Sequence, residues 1–151
     1  MLMKRILLII LFCFISMSFH KVEELPQSTK IEVQDTSFLY KELSDSTLYL
    51  ALKYYNIKHP KIVLAQAKLE SGNYTSAHCI RKNNFFGLYN SKKKEYYSFK
   101  HWTDCIEGYK NMIEHKHRDG EDYYAFLIRI GYASDPIYIT KVKQIERKLE
   151  I

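Results

Sequence analysis

The sequence predicts one mainly α domain that carries a short β-hairpin or extended lobe. The chain has 151 residues, which suffice for one hydrophobic core but not comfortably for two. Most of its apolar residues recur at helical spacing, in segments that begin after Ser, Asp or Pro and end near Gly. Only residues 88–100 alternate weakly and are rich in Tyr and Phe, as expected of a hairpin.

Residues 1–18 have the pattern of a secretory signal. A Lys-Arg pair precedes an apolar run over residues 6–15, which is too short for the ~20 residues that span a bilayer as a helix. Small residues after this run predict cleavage near Ser18, and an uncleaved membrane anchor is the alternative. The chain is therefore expected to be exported to the periplasm or cell envelope, or secreted, with membrane contact only through this N-terminal segment.

The domain is expected to begin at residue 44. Residues 19–43 are polar and lack sustained periodicity, so they are predicted to be a linker that leads to a domain over residues 44–151. A first helix is predicted over residues 46–55, with Ser44 or Asp45 as its cap. Its inner face consists of three apolar residues, Leu48, Ala51 and Leu52.

The second helix is predicted to be the central helix of the core. It begins at Pro60, because proline is tolerated in the first helical turn. Six of the eight residues from 62 to 69 are apolar, which leaves little room for a solvated face. A stop is predicted at Gly72, since glycine readily adopts the positive φ that ends a helix. Glu70 therefore lies in the last turn of a largely buried helix.

The middle of the chain is predicted to contain a short helix, the hairpin and a longer helix. The short helical piece lies around residues 75–80, and the hairpin or extended lobe covers residues 88–100. The third main helix starts at Thr103 or Asp104 and runs to about residue 115. Its inner face contains Ile106, Tyr109 and Ile113.

Two helices are predicted after residue 120. Gly131 ends the first of them, over residues 121–130. Asp135 and Pro136 open the last helix, with Asp135 as its cap. The inner face of that helix contains Ile139, Val142, Ile145 and Leu149. Trp102, the single tryptophan, is expected to pack in the core.

Charge and cysteine content narrow the classes of partner. The chain has 23 Lys and Arg against 17 Asp and Glu, a net charge of +6. This excess suits an anionic polymer such as a cell wall, and it is too small and dispersed to predict nucleic-acid binding. The histidines and cysteines lack metal-ligand spacing, so neither a metal nor a cofactor is expected. A disulfide between Cys79 and Cys105 is left open, because sequence does not give their separation.

Glu70 is the strongest candidate for chemistry. A carboxylate at a helix C-terminus feels the negative end of the macrodipole, which disfavours ionisation by about 0.3–1 kcal/mol. That is less than one pKa unit, so burial against aromatic residues would have to supply the rest of a shift. A glutamate tuned in this way can donate a proton to a glycosidic oxygen. The alternative is a solvated helix end.

Three separated blocks, in order, carry a resemblance to a known family. They are "HPKIVLAQAKLESG", "NNFFGLYN" and "GYASDPIYITKV". Together they make the chain resemble the glucosaminidase family of peptidoglycan hydrolases, from about residue 44 to residue 151. The resemblance implies a lysozyme-like α lobe and cleavage of peptidoglycan glycan strands next to N-acetylglucosamine.

Carried over position by position, the resemblance implies a set of site residues. Glu70 would be the general acid, and Tyr132 would lie beside it as a second catalytic residue. Asn84, Phe86 and Gly87 would bind substrate, and Tyr97 is a further aromatic residue expected to line the glycan groove. For Asn84 the alternative is a tight turn packed under the helix.

This chain departs from the family's pattern at the second catalytic carboxylate. Glu95 is the sole acid among residues 88–100, and it is the candidate for activating water. Its neighbouring lysines also suit a solvated turn. If Glu95 has no catalytic role, the substrate's own acetamido group could assist, with Tyr132 positioning it.

The resulting prediction is an exported, monomeric endo-β-N-acetylglucosaminidase that acts on peptidoglycan glycan strands. A lytic transglycosylase of lysozyme-like fold is one alternative, since it also uses a helix-end Glu-Ser pair. The other is a non-catalytic peptidoglycan-binding or assembly protein that kept the groove and lost turnover.

Overall fold

A computed structural model describes residues 35–151, which form one compact unit. Within this range the fold is mainly helical with one small antiparallel hairpin, so the predicted fold class is confirmed. The six α-helices are α1 (Asp45–Tyr54), α2 (Pro60–Glu70), α3 (Ala77–Lys82), α4 (Trp102–Met112), α5 (Tyr123–Arg129) and α6 (Tyr138–Arg147). The strands are β1 (Tyr89–Asn90) and β2 (Glu95–Tyr96), and two 3-10 helices cover Ser37–Tyr40 and Glu114–Lys116.

Helix α1 begins and packs as predicted. The Ser44 hydroxyl accepts a hydrogen bond from the Thr47 amide at 3.3 Å, and the Thr47 hydroxyl accepts one from the Ser44 amide at 2.9 Å. This reciprocal capping box satisfies two amides that the helix itself leaves free. The three residues predicted for its inner face, Leu48, Ala51 and Leu52, are fully buried.

Helix α2 lies at the centre of the core, between α1 and α6. Five consecutive residues of this helix, from Val63 to Ala67, are fully buried. The helix ends at Glu70, with Ser71 as its C-cap, and Gly72 follows with φ +57° as predicted. The consequence is that the core fixes the helix firmly while its last residue, Glu70, stays only half-buried.

Helix α4 differs from its prediction at both ends. Its N-cap is His101, whose ring Nδ1 accepts a hydrogen bond from the Thr103 amide at 3.3 Å. Asp104 is therefore not the cap but the third helical residue, and its carboxylate accepts the His101 amide at 3.0 Å. The helix ends at Met112, and the chain continues as a 3-10 turn in which the buried Glu114 carboxylate accepts the amide of Lys58.

Helices α3 and α6 begin later than predicted. Ser76 caps α3, because its hydroxyl accepts the amide of Cys79. Helix α6 starts at Tyr138, and the predicted cap Asp135 lies one turn before it. The Asp135 carboxylate accepts the amide of Ile137 at 2.9 Å, so it closes a turn ahead of the helix.

The ends of helix α5 and the position of Trp102 follow the prediction more closely. Asp122 caps α5 through the Ala125 amide, and Gly131 follows the helix with φ +61°. Trp102 is buried in the core, where its indole Nε1 donates to the Lys41 carbonyl at 3.0 Å.

The last part of the predicted linker packs on the domain. Residues 35–43 contain the first 3-10 helix, and three of their apolar side chains, those of Phe38, Leu39 and Leu43, lie against the core. The predicted signal over residues 1–18 and the first part of the linker lie outside the described residues. Across residues 35–151, no helix has the length and apolar character needed to cross a bilayer.

The two cysteines of the domain are buried thiols. Cys79 and Cys105 are both free, so the structure contains no bridge between them. The Cys105 sulfur instead lies 3.9 Å from the side-chain oxygen of Asn84. Burial raises the pKa of both thiols, which keeps them protonated and unreactive.

Candidate active site

An open cleft of about 570 Å³ lies at the C-terminal end of α2. Its walls come from separate parts of the chain: the last two residues of α2, the loop before β1, the end of α4 and the start of α6. The loop between α5 and α6, residues 130–135, closes the remaining side. The cleft thus collects the segments that carry all three sequence blocks.

Glu70 places its carboxylate in this cleft. Burial raises the pKa of Glu70 above its ordinary value, and a hydrogen bond from the Tyr138 side chain opposes part of that rise. The first effect favours the protonated acid because a charge is poorly solvated there, and the second stabilises the carboxylate that remains after proton transfer. Glu70 is therefore suited to give up a proton and to take it back.

Gly87 brings the backbone of the neighbouring loop next to this acid. It has φ +63°, and a Cβ atom built there would lie 3.7 Å from Glu70 Oε2. The left-handed φ favours glycine, and the missing side chain leaves the carboxylate accessible from the loop side. Gly87 therefore lines the cleft through its backbone, as the prediction of a substrate contact requires.

Tyr132 lines the cleft and contacts the loop before β1. Its hydroxyl donates to the Phe86 carbonyl at 3.3 Å, and its ring packs against that of Tyr138 at 5.6 Å. The pKa of Tyr132 lies well above its ordinary value, mainly through burial and further through nearby negative charge that includes Glu70. Tyr132 is therefore a neutral hydroxyl close to the acid.

A chain of buried hydrogen bonds leads from the core to Tyr138, the hydrogen-bonding neighbour of Glu70. Gln66 donates from Nε2 to the Tyr138 hydroxyl at 3.1 Å, and its Oε1 accepts from the Tyr109 hydroxyl at 2.9 Å. Tyr109 has only one hydroxyl hydrogen, so Tyr123, 2.9 Å away, must donate to it. Tyr138 accepts from Gln66, so its own hydrogen is available to Glu70. The three hydrogen bonds of this chain therefore run in one direction, from Tyr123 through Tyr109 and Gln66 to Tyr138.

Sequence reasoning missed Gln66 and Tyr138. A signal for Gln66 was present, since it is the polar residue in an apolar helical run and lies four residues before Glu70, on the same helical face. No comparable local signal exists for Tyr138, whose contact with Gln66 spans 72 positions of the chain.

Asn84 lies beneath the cleft and does not line it. The residue is buried, and its Nδ2 donates to the carbonyls of Leu88 and Tyr97, each at 2.9 Å. Its Oδ1 accepts the Leu88 amide at 2.8 Å. These bonds hold the loop against the start of the hairpin, which supports the alternative of a buried turn and gives Asn84 a role in placing Gly87.

The two predicted substrate-binding aromatics also differ in position. Phe86 lines the cleft, but its ring is buried and packs on Tyr109 with centroids 4.2 Å apart. Tyr97 is half-buried, stacks on Phe99 and is not among the residues that line the cleft. Neither ring is placed to stack on a sugar in the cleft.

Glu95 and Asp135 are the acids to compare with Glu70. Glu95 is exposed on β2 and does not line the cleft. Asp135 does line it and forms an ion pair with Lys141 at 2.6 Å. The Lys141 hydrogen bond and the Ile137 amide hold the pKa of Asp135 below its usual range. The structure thus brings Asp135 to the cleft with Glu70, and it leaves Glu95 outside.

The described part of the chain offers no cluster of three or more His, Cys, Asp or Glu side chains able to hold a metal ion. The chemistry available in the cleft is that of the half-buried acid Glu70, the hydroxyls of Tyr132 and Tyr138 near it, and the ion-paired carboxylate of Asp135.

A comparison with family models finds one that matches residues 46–151. Its description is "Glucosaminidase: Mannosyl-glycoprotein endo-beta-N-acetylglucosaminidase". A search of curated proteins finds no match to this chain. The matched range begins within α1 and includes the entire cleft.

Proposed function

Because the chain belongs to the glucosaminidase family, whose model covers residues 46–151, we propose that it is an endo-β-N-acetylglucosaminidase. Family membership implies a glycoside hydrolase that acts on peptidoglycan. The finer statement, that Glu70 is its general acid, rests on one observation above all: a half-buried carboxyl group with a raised pKa lines an open cleft.

In the first step Glu70 donates its proton to the glycosidic oxygen. The bond between that oxygen and the anomeric carbon breaks, and the electron pair leaves with the oxygen. Positive charge then develops on the anomeric carbon and ring oxygen, as in other glycosidases. The Glu70 carboxylate that remains accepts a hydrogen bond from Tyr138.

We propose that the substrate's acetamido group acts as the nucleophile. Its oxygen attacks the anomeric carbon, and a water molecule then opens the cyclic intermediate while its proton returns to Glu70. Tyr132 is the positioning residue for this group, since its long 3.3 Å hydrogen bond to a carbonyl can be exchanged for one to the acetamido oxygen. The exposure of Glu95 outside the cleft supports this route over water activation by Glu95.

The test is release of soluble fragments from purified peptidoglycan. Glu70→Gln should lower the rate at least about 100-fold, the effect of losing a general acid. Glu95→Gln is the matched control and should keep the rate, because the residue is exposed and outside the cleft. Equal rates for wild type and Glu70→Gln would refute the acid, and a large loss in Glu95→Gln would restore Glu95 as the base.

A lytic transglycosylase is the second candidate. It is favoured by a specific observation: the other carboxylate in the cleft, Asp135, is tied to Lys141. Such an enzyme would form an anhydro-muramic end through an internal hydroxyl of the substrate. Mass spectrometry of the products separates the two, because the hydrolase proposed here yields reducing N-acetylglucosamine ends.

Export is part of the proposal. An enzyme of this family meets peptidoglycan outside the cytoplasmic membrane, and residues 1–18 have the sequence pattern of a secretory signal. N-terminal sequencing of the protein from the cell envelope or culture medium should find a chain that begins after Ser18. A chain that keeps residue 1 would indicate the uncleaved anchor.

A further inference from the structure

Three exposed rings form a continuous strip on the hairpin and α3. Tyr89 of β1 and Tyr96 of β2 contact each other with ring centroids 5.1 Å apart, and Tyr96 packs on His78 of α3 at 3.9 Å. Tyr89 and Tyr96 remain 47% and 36% exposed. We call Tyr89, Tyr96 and His78 the hairpin strip.

The hairpin strip continues the cleft. Tyr89 and Tyr96 are direct partners in the antiparallel register, so their side chains leave the same face of the hairpin. Tyr89 is also part of the cleft wall, together with Glu70. A polymer that lies in the cleft and passes Tyr89 would therefore meet the other two rings next.

The residues around the strip are basic. The Lys82 Nζ donates to the Tyr96 carbonyl at 3.2 Å, which holds its ammonium group beside the strip. Glu95 is the single acid among residues 77–100. The basic residues of the same range are Arg81, Lys82, Lys92, Lys93, Lys94 and Lys100. This surface is electrostatically complementary to a polymer that carries carboxylates.

From the ring contacts, the continuity with the cleft and the surrounding charge, we propose that the hairpin strip is a second binding surface for the peptidoglycan glycan strand. This inference rests on the proposed function, since it takes the strand in the cleft to be peptidoglycan. Flat amphipathic rings stack on the apolar faces of sugars and offer a polar edge to their hydroxyls. The lysines beside them would attract the carboxylates of the stem peptides. Substrate length beyond the cleft then contributes to affinity.

The test is the affinity for soluble peptidoglycan fragments of increasing length, measured by calorimetry in the Glu70→Gln background to prevent cleavage. Tyr96→Ala should weaken binding of long fragments about tenfold, as expected for one lost aromatic contact, and leave short fragments unchanged. His78→Ala should act in the same direction. Tyr40→Ala is the matched control, because Tyr40 is 86% exposed on the first 3-10 helix and does not line the cleft.

Unchanged affinity for long fragments in Tyr96→Ala, with the fold verified by circular dichroism, would refute the proposal that the hairpin strip binds the glycan strand. So would an equal loss for short and long fragments, since it would mean that Tyr96 only supports the hairpin. The binding measurement needs no turnover, so a failure of the strip proposal can be distinguished from a failure of the proposed activity. A wild-type chain that cuts no glycan but loses long-fragment binding in Tyr96→Ala would refute the proposed activity and support the strip.

Discussion

At the scale of single residues, the cleft combines an acid that is hard to ionise with a hydroxyl that helps it to ionise. Burial raises the pKa of Glu70, and the Tyr138 hydrogen bond acts in the opposite direction. Gln66 fixes the direction of that bond, because its amide donates to the Tyr138 oxygen. The pKa of the acid should therefore respond to a hydroxyl that no local sequence signal identifies.

Replacing Tyr138 by Phe tests this balance. The ring still buries Glu70, but the hydrogen bond to its carboxylate is lost, so the pKa of Glu70 should rise. Activity that needs protonated Glu70 should then persist to higher pH, so the basic limb of the kcat profile should move to higher pH.

Tyr123→Phe is the control for this prediction. It removes a buried hydroxyl from the same hydrogen-bonded chain, three residues further from Glu70 than Tyr138. It should lower the unfolding temperature without moving the basic limb. A carbon-13 NMR titration of the Glu70 carboxyl reads the pKa without substrate. An unchanged or lowered Glu70 pKa in Tyr138→Phe would contradict the prediction.

Glu70 should also reduce the stability of the folded chain at neutral pH. Its pKa is higher in the folded state than in the unfolded state, so folding is favoured most when the group is protonated and stability falls as pH rises above the unfolded pKa. Glu70→Gln removes this dependence, and it should raise the unfolding temperature at pH 7 more than at pH 4.

Thermal unfolding at the two pH values measures this effect. Glu95→Gln serves as its control, since it makes the same substitution at a carboxylate that is exposed in the folded chain. If Glu70→Gln shifted the unfolding temperature equally at both pH values, ionisation of Glu70 would not be the cause.

At the scale of elements, the sequence predicts α2 well and the surroundings of its end less well. An apolar run with Pro at its start and Gly beyond its end specifies a buried helix through local physics, and it places Glu70 at the terminus. The partners of Glu70 come from α6 and from the loop before β1. Their approach depends on tertiary packing, which periodicity does not encode.

The loop before β1 depends on Asn84. Its side chain serves the Leu88 amide and the carbonyls of Leu88 and Tyr97, so Asn84→Ala leaves buried polar groups without partners. We expect a loss of about 2–4 kcal/mol in the free energy of unfolding, from more than one unsatisfied group. Activity should fall as well, because the same loop places Gly87 beside the acid.

Urea denaturation checks this prediction, with Asn90→Ala as the matched control. Asn90 also accepts backbone amides, those of Lys92 and Lys93, but in an exposed turn where water can replace it. Similar losses in the two variants would show that Asn84 does not act through its buried bonds.

At the scale of the whole molecule, the sequence predicts the fold class, whereas the packing of residues 35–43 on the core has no comparable sequence signal. Helical periodicity is repeated in several segments, so errors at individual ends do not change the class. The 3-10 helix over Ser37–Tyr40 is too short to show a hydrophobic periodicity. The next residue, Lys41, contacts α4 through its hydrogen bond with Trp102, which spans 61 positions of the chain. Such a contact leaves no mark on local sequence.

Two shortened chains test where the domain begins. A chain over residues 35–151 should fold stably, whereas one over residues 44–151 should lose roughly 2–4 kcal/mol of unfolding free energy. The loss follows from the apolar contacts of Phe38, Leu39 and Leu43 and from the unpaired Trp102 indole. Equal urea midpoints for the two chains would show that residues 35–43 are a linker after all.

The direction of the buried hydrogen bonds has a consequence for the catalytic cycle. Tyr123 and Tyr109 already donate along this chain in the direction of Tyr138, and the Gln66 amide between Tyr109 and Tyr138 cannot pass a proton without changing its bonding. The interior can hold the spent carboxylate but cannot supply its next proton. The next proton must therefore arrive from the open side of the cleft, carried by the water molecule that opens the cyclic intermediate, so that the water which completes one turnover also reprotonates Glu70 for the following one.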